Sequence, residues 1–181
     1  MKTDLSQYNN AWYQPGSFFK RISWMVMNAL FFNHSMAILN GFKCALIRWY
    51  GGKVGKGVII KPSVNIKYPW FLQVGDYVWI GERVWIDSLT HISLGNNVCL
   101  SQGSMLLTGN HDYTKTTFDL VVKPIVLEEG AWIGARSVVC PGVTCGSHSV
   151  LAVGSVASKD LAPYSINRGN PAVFIKQRTI Q

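Results

Sequence analysis

The chain keeps a beat of six residues. Aliphatic side chains recur at Val54, Ile60 and Ile66, at Val74, Ile80 and Ile86, and at Leu94, Leu100 and Leu106. After a gap the beat resumes at Leu127, Ile133 and Val139, then at Cys145, Leu151 and Ala157. A helix repeats every ~3.6 residues and a strand alternates every second one, so a period of six is neither by itself. It describes coils: three short sides close a triangular turn, and stacked turns make a parallel β-helix.

The spacing assigns the sides. Val54, Val74 and Leu94 are 20 residues apart, three sixes with two residues added at one corner, whereas Leu127 and Cys145 are 18 apart. Val54, Val74, Leu94, Leu127 and Cys145 then stack on a first side, with Ile60, Ile80, Leu100, Ile133 and Leu151 on a second. Ile66, Ile86, Leu106, Val139 and Ala157 form the third, with rungs about 4.8 Å apart. Glycines follow many rungs (Gly55, Gly75, Gly81, Gly95, Gly134, Gly146), which we assign to tight corners. The expected architecture is an all-β parallel β-helix of about five coils over residues 51–161. A helical cap at 1–50 precedes it and a short tail at 162–181 follows it.

Ahead of the coils, residues 1–16 are polar and turn-rich. Residues 17–50 are apolar at spacings of three and four, from Phe18, Ile22 and Met25 to Met36, Ile38, Leu39, Leu46 and Trp49, which predicts one or two amphipathic helices. Two roles stay open. The helices cap the open end of the β-helix, or they lie on a membrane surface, where Trp24 and Trp49 beside Lys20, Arg21, Lys43 and Arg48 suit an interface. The longest apolar run, roughly residues 22–32, is too short to span a bilayer core of about 30 Å.

Charge is unevenly spread. Residues 1–70 carry nine Lys or Arg against one acid, Asp4, while residues 71–181 carry eight of each sign, so the whole net charge of +8 sits in the first part. No nucleic-acid-binding motif accompanies that charge, and its overlap with an apolar region favours an anionic membrane surface over nucleic acid. The four cysteines form no CxxC pair and no zinc-like grouping, and Cys145 falls on a rung as a small hydrophobe. That usage suits a reducing compartment, and no signal peptide is read at the N-terminus. We expect a cytoplasmic protein, peripheral at the inner face of the plasma membrane if the helices bind lipid.

From Leu107 to Pro124 the beat fails. A long loop extruded from a tight solenoid is costly to order and usually functional.

The chain carries Val-Trp-Ile-Gly at 78–81, Ala-Trp-Ile-Gly at 131–134, Pro141-Gly142-Val143-Thr144 and Gly169-Asn170-Pro171-Ala172. With these motifs it resembles the hexapeptide-repeat acyltransferases over nearly its whole length, and looks closest to the colanic-acid-type sugar O-acetyltransferases. The resemblance implies left-handed coils, although parallel crossovers are otherwise right-handed in nearly all cases. It implies a homotrimer with acetyl-CoA lying in a groove between two subunits. It implies contacts from Trp132, Gly134, Ala135, Val153 and Gly154, with Ser158 and Lys159 on the final coil and Arg168 and Lys176 for the 3′-phosphate. A cation suits such phosphates.

The resemblance also puts a catalytic histidine in the extruded loop, where His111 is the only histidine. Acyl transfer to a hydroxyl needs a base, and neutral imidazole is available near pH 7. Asp87 follows the third-side rung Ile86, one coil below Leu106, which puts it near the mouth of the loop. There it accepts a hydrogen bond from a sugar hydroxyl or orients the imidazole, or it merely takes a corner position. Asp112 reads as a loop-capping residue, and His91 and His148 as surface or subunit-contact residues. The histidines at 111 and 148 lack an evident third partner, so no metal site is expected, against the γ-type carbonic anhydrases that share these coils.

The expected activity is acetyl transfer from acetyl-CoA to a sugar, or to a lipid-linked saccharide, in exopolysaccharide assembly. Acetylation of an antibiotic hydroxyl and a non-catalytic β-helix scaffold are the alternatives.

Overall fold

The computed structural model describes residues 2–35 and 40–181, so Met36, Ile38 and Leu39 of the apolar region lie outside the described residues. Three parallel sheets wrap one core. In the first, Val54, Val74, Leu94, Leu127 and Cys145 pair in register, in that order. In the second the order is Ile60, Ile80, Leu100, Ile133 and Leu151, and in the third Ile66, Ile86, Leu106, Val139 and Ala157. These are the expected stacks, and the fold is the left-handed β-helix that the motifs imply. The solenoid runs slightly past five coils. Leu161 bridges to Cys145, and Ser165–Gly169 within the expected tail adds a strand beside Leu151. The chain then folds back as Ala172–Gln177, antiparallel to that strand, in a terminal hairpin.

Every rung is buried except Val54 on the lowest coil, which is half-buried. The beat describes only half of the interior. The residue two before each rung also points inward, as strand alternation requires: Val58, Val64, Leu72, Val78, Val84, Ile92, Val98, Ile125, Ala131 and Val143 are all buried. In later coils this tier becomes Ser137, Ser149 and Ser155. Ser137 Oγ donates to the Ala152 carbonyl at 2.7 Å and accepts from the Ser155 amide at 3.2 Å, and Ser155 Oγ accepts from the Gly169 amide at 3.0 Å, whereas the Ser149 hydroxyl has no partner among the described residues.

The glycines after the rungs have a different cause from the one expected. The left-handed corner residue comes two positions later, and is often not glycine: Tyr77, Arg83, Asn97 and Arg136 have φ of 56°, 58°, 59° and 56°. What excludes a side chain at Gly134 is the next coil, since a Cβ there would stand 2.6 Å from the Val153 nitrogen.

The lowest coil has no coil beneath it and presents an unpaired edge. Helix α1 (Phe18–Met27) and helix α2 (Asn40–Trp49) close it with side chains. Trp24 Nε1 donates to the Ile66 carbonyl at 2.8 Å, and Asn28 Oδ1, just past α1, accepts from the Ile66 amide at 3.1 Å. Asn40 Nδ2 donates to the Val58 carbonyl at 2.6 Å while its Oδ1 accepts from the Ile60 amide at 2.7 Å. Lys43, fully buried, donates to the Lys61 carbonyl at 3.2 Å, and Arg48 Nη2 donates to the Val54 carbonyl at 2.9 Å. The helices are a cap, built from hydrogen bonds as well as apolar contact.

Burial, with Asp160 adding, pushes the Cys145 thiol up to about 12, so this rung is a neutral hydrophobe.

Candidate active site

The interruption of the beat is itself a β-hairpin. Gly109–His111 runs antiparallel to Leu120–Val122, with His111 opposite Leu120. Its root is fastened to the coils. Thr108 Oγ1 donates to the Asp87 carbonyl at 2.7 Å and accepts from the Leu89 amide at 2.9 Å. At its tip Asp112 Oδ1 accepts from the amide and hydroxyl of Thr114 at 3.0 and 2.6 Å, which holds the Asp112 carboxyl below its ordinary range. Asp112 is thus a turn cap, as the sequence suggests.

The His111 ring is held by one hydrogen bond and two aromatic neighbours. Its Nδ1 lies 2.9 Å from the Phe118 carbonyl, which can only accept, so the proton is assigned to Nδ1 and the lone pair to Nε2. The ring stacks on Phe118 at 4.4 Å and 7°, and Tyr8 packs against it at 5.6 Å. Leu5, Tyr8, His111 and Phe118 line a pocket of about 420 Å³. Leu5 and Tyr8 come from the N-terminal segment, which the sequence reading leaves without a role.

Asp87 stands at the root of the hairpin, in register with Leu107. Its side chain is 13% exposed, and Oδ1 lies 3.6 Å from Lys67 Nζ with no hydrogen-bond partner among the described residues. Its Oδ2 is 3.8 Å from the place a Cβ on Gly109 would take. No hydrogen bond joins it to His111 among the described residues, so it does not orient that ring within one chain. Tyr13, also from the N-terminal segment, donates its hydroxyl to the Leu89 carbonyl at 2.6 Å. Burial pushes the Tyr13 hydroxyl up, Tyr68 and Asp87 add to this, and Arg21 opposes it.

Four residues expected to hold acetyl-CoA line one groove of about 540 Å³: Trp132, Gly134, Ala135 and Val153. Trp132 Nε1 donates to Ser101 Oγ at 2.9 Å, which pins an indole that stays 44% exposed. Gly154, at φ 68°, donates its amide to the Ala135 carbonyl at 2.9 Å and shapes the same corner. Arg178, missed in the sequence, also reaches this groove while its Nη1 donates to the carbonyls of Gly130 and His148 at 3.2 and 3.1 Å.

The remaining expected contacts divide. Lys176 lies opposite Ile166 of the groove wall, and Arg168 opposite Val173; both are exposed on the terminal hairpin. Ser158 and Lys159 are exposed after the rung Ala157, on the edge between third and first sheets from which the His111 hairpin also leaves. The groove follows rungs Ile133 and Leu151, on the edge between second and third sheets. One chain therefore gathers the groove on one edge of the prism and His111, Ser158 and Lys159 on another. The phase of the beat carries this division and can be read without a structure.

His148 stacks on Tyr164 at 4.8 Å, and His91 meets Phe71 edge-on at 5.3 Å. No group of three or more His, Cys, Asp or Glu that could hold a metal ion is found among the described residues.

No family model matches the chain. It is 39% identical over 166 residues to the Escherichia coli protein named "Putative colanic acid biosynthesis acetyltransferase WcaF", a match covering 92% of this chain and 91% of that one. It is 28% identical over 149 residues to the Escherichia coli galactoside O-acetyltransferase, covering 81% of this chain and 73% of the other. A solved hexapeptide-repeat acetyltransferase from Vibrio cholerae, in complex with acetyl-coenzyme A, superposes with a TM-score of 0.79 at 25% identity, over 90% of this chain and 88% of that one.

Proposed function

The chain belongs to the hexapeptide-repeat acetyltransferases, and from that premise we propose that it acetylates a sugar hydroxyl in exopolysaccharide assembly with His111 as general base. The observation that carries this reading is the fixed tautomer of His111. With Nδ1–H committed to the Phe118 carbonyl, Nε2 is a lone pair beside an open pocket. Nε2 takes the proton of the acceptor hydroxyl as its oxygen attacks the acetyl carbonyl. The C–S bond of the thioester breaks, and the imidazolium, steadied by the Phe118 carbonyl, passes that proton to the leaving sulfur. Asp87, with Oδ1 unpaired at the hairpin root, accepts a hydrogen bond from the acceptor and orients it.

Acetyl-CoA is the donor in this reading, and when bound it supplies a thioester-activated acetyl group. The groove fits it. The walls at Ala135, Val153 and Ile166 are apolar, the pinned Trp132 offers a face to a pantetheine chain, and Gly134 keeps the corner narrow. Arg178 at the groove, Arg168 and Lys176 on the terminal hairpin, and Ser158 and Lys159 on the other edge are the groups that would meet phosphates.

Because groove and base occupy different edges, we assign the working enzyme to a homotrimer, in which one subunit's groove meets its neighbour's His111. The outer faces support this. The second sheet turns Ile59, Trp79, Cys99 and Trp132 outward, and the third turns out Trp85, Met105, Val138 and Val156 with one Asn, Asn65. The first turns out Lys53, Gln73, Ser93 and Thr144 with one Val. A cyclic head-to-tail assembly uses two different faces and leaves the third to solvent.

Free thiol released from acetyl-CoA tests the reading, measured with a panel of sugars and, separately, antibiotic hydroxyl acceptors. Sugar-dependent release is expected, cut about 10²–10⁴-fold by His111→Asn. Release that ignores the sugar, favours the antibiotics or survives His111→Asn overturns it.

A further inference from the structure

A second cleft, of about 420 Å³, opens between α1 and the outer side of the third sheet. Its lining changes character along its length. On α1, Phe18, Ile22 and Met25 leave 61%, 40% and 59% of their surface uncovered. Among them sits Arg21, and across from it stand Lys67 and Trp85.

The two cations are not consumed by the fold. Arg21 Nε is out of solvent contact and has no hydrogen-bond partner among the described residues. Lys67 Nζ faces Asp87 Oδ1 at 3.6 Å, an ion pair too long for a strong hydrogen bond. Neighbouring polar groups are already used. Asn28 donates to Asn65 Oδ1 at 2.7 Å and accepts from the Ile66 amide, and Lys20 lies over the Trp70 ring at 4.4 Å. The titratable groups facing the cleft are Arg21, Lys67, Tyr68 and, at its end, Asp87 with Tyr13 beside it. Two cations against one acid leave an excess of positive charge at the end nearest the hairpin root.

We propose that this cleft receives an amphiphilic sugar phosphate as the acetyl acceptor. The phosphate sits on Arg21 and Lys67, the hydrocarbon chain lies along Phe18, Ile22 and Met25, and the sugar points to Asp87 and the hairpin. Arg21 is half-buried, but its Nε is shut off from water without a partner among the described residues, and a shielded, unpaired N–H beside a second cation calls for an anion. Uncovered apolar side chains leading away from it call for a chain, which a free sugar phosphate lacks. No helix among the described residues is long and apolar enough to cross a membrane. The inference rests on a sugar being the acceptor, and its test reads binding, which does not depend on turnover.

Four probes, each kept below its micelle concentration, are titrated calorimetrically into the full-length protein: octyl glucosyl phosphate, glucose 1-phosphate, octyl glucoside and dioctanoyl phosphatidylglycerol. Octyl glucosyl phosphate is expected to bind about tenfold or more tighter than glucose 1-phosphate or octyl glucoside, since a charge-assisted contact is worth at least that much. Arg21→Gln and, independently, Lys67→Met should each weaken the two sugar phosphates about tenfold. Both should leave octyl glucoside and acetyl-CoA binding unchanged. Equal binding of octyl glucoside and octyl glucosyl phosphate, or no response to either substitution, overturns the proposal. Equally tight phosphatidylglycerol makes the cleft a general lipid-headgroup site and also overturns it. Absence of sugar acetylation by protein that still binds octyl glucosyl phosphate in this way would count against the proposed activity and leave the cleft as a sugar-phosphate site.

Discussion

The coils and the His111 hairpin use the same strand chemistry to opposite ends. In the coils the inner strands pair with the coils on either side, and every rung but Val54 is turned inward nearly inaccessible, stacked five deep. In the hairpin two three-residue strands pair only with each other, and none of their residues is buried. What fixes the hairpin is a few hydrogen bonds: Thr108 to the coil at its root, Asp112 and Lys115 with Asp119 at its tip, and the Asp4 amide on the Thr116 carbonyl at 2.9 Å. The difference separates two tasks. Burial in the coils supplies the stability, and the hairpin carries a histidine whose ring is positioned by one carbonyl and two aromatic neighbours. A site held this way can change without cost to the scaffold, which is where chemistry is best placed.

The comparison can be broken from the scaffold side first. Leu127→Ala empties a fully buried rung of the first sheet and should cost about 2–5 kcal/mol in denaturant unfolding, with turnover per folded molecule unchanged. If turnover falls with stability, the two regions are coupled. Asn40→Ala strips the lower edge of a two-way cap and leaves the Val58 carbonyl and Ile60 amide unmet, at a cost of about 1–3 kcal/mol. A smaller loss would mean that the apolar faces of the helices close the prism unaided.

Gly142 is the junction. It sits at φ 87°, and an added Cβ would stand 3.0 Å from the side chain of Lys123 at the hairpin's base. Gly142→Ala should cost about 1–2 kcal/mol through the left-handed conformation, and any change in activity would measure how firmly base and coil are joined. The smallest effect belongs to the exposed tip: Asp112→Ala should leave the unfolding midpoint unchanged. A clear drop there would make the hairpin a structural element after all.

The rungs could be read from sequence because a coil turns a three-dimensional stack into a one-dimensional period, and each rung is aliphatic or small. The inner tier two residues before each rung escaped notice because it mixes Val and Ile with Ser104, Ser137, Ser149 and Ser155, whose polar type hides their burial. The period marks the loop by stopping there, and the resemblance, which implies a catalytic histidine in that loop, singles out His111. Tyr8, Tyr13 and Arg178 were not legible, since each reaches its site from a chain end with no repeat to give its phase. The capping role of α2 likewise depends on Asn40 and Lys43 meeting carbonyls that only the folded edge exposes. The cause of the corner glycines was misread for a related reason: the steric conflict at Gly134 lies with Val153, a full coil away.

One measurement bears most directly on the division between scaffold and hairpin: turnover and unfolding midpoint determined on the same preparation of His111→Asn. Asparagine keeps an N–H for the Phe118 carbonyl but offers no imidazole lone pair to take a proton. The account predicts an unchanged midpoint with turnover lower by about 10²–10⁴-fold. A lowered midpoint with turnover retained would contradict it, showing His111 to be a packing residue and the base to lie elsewhere.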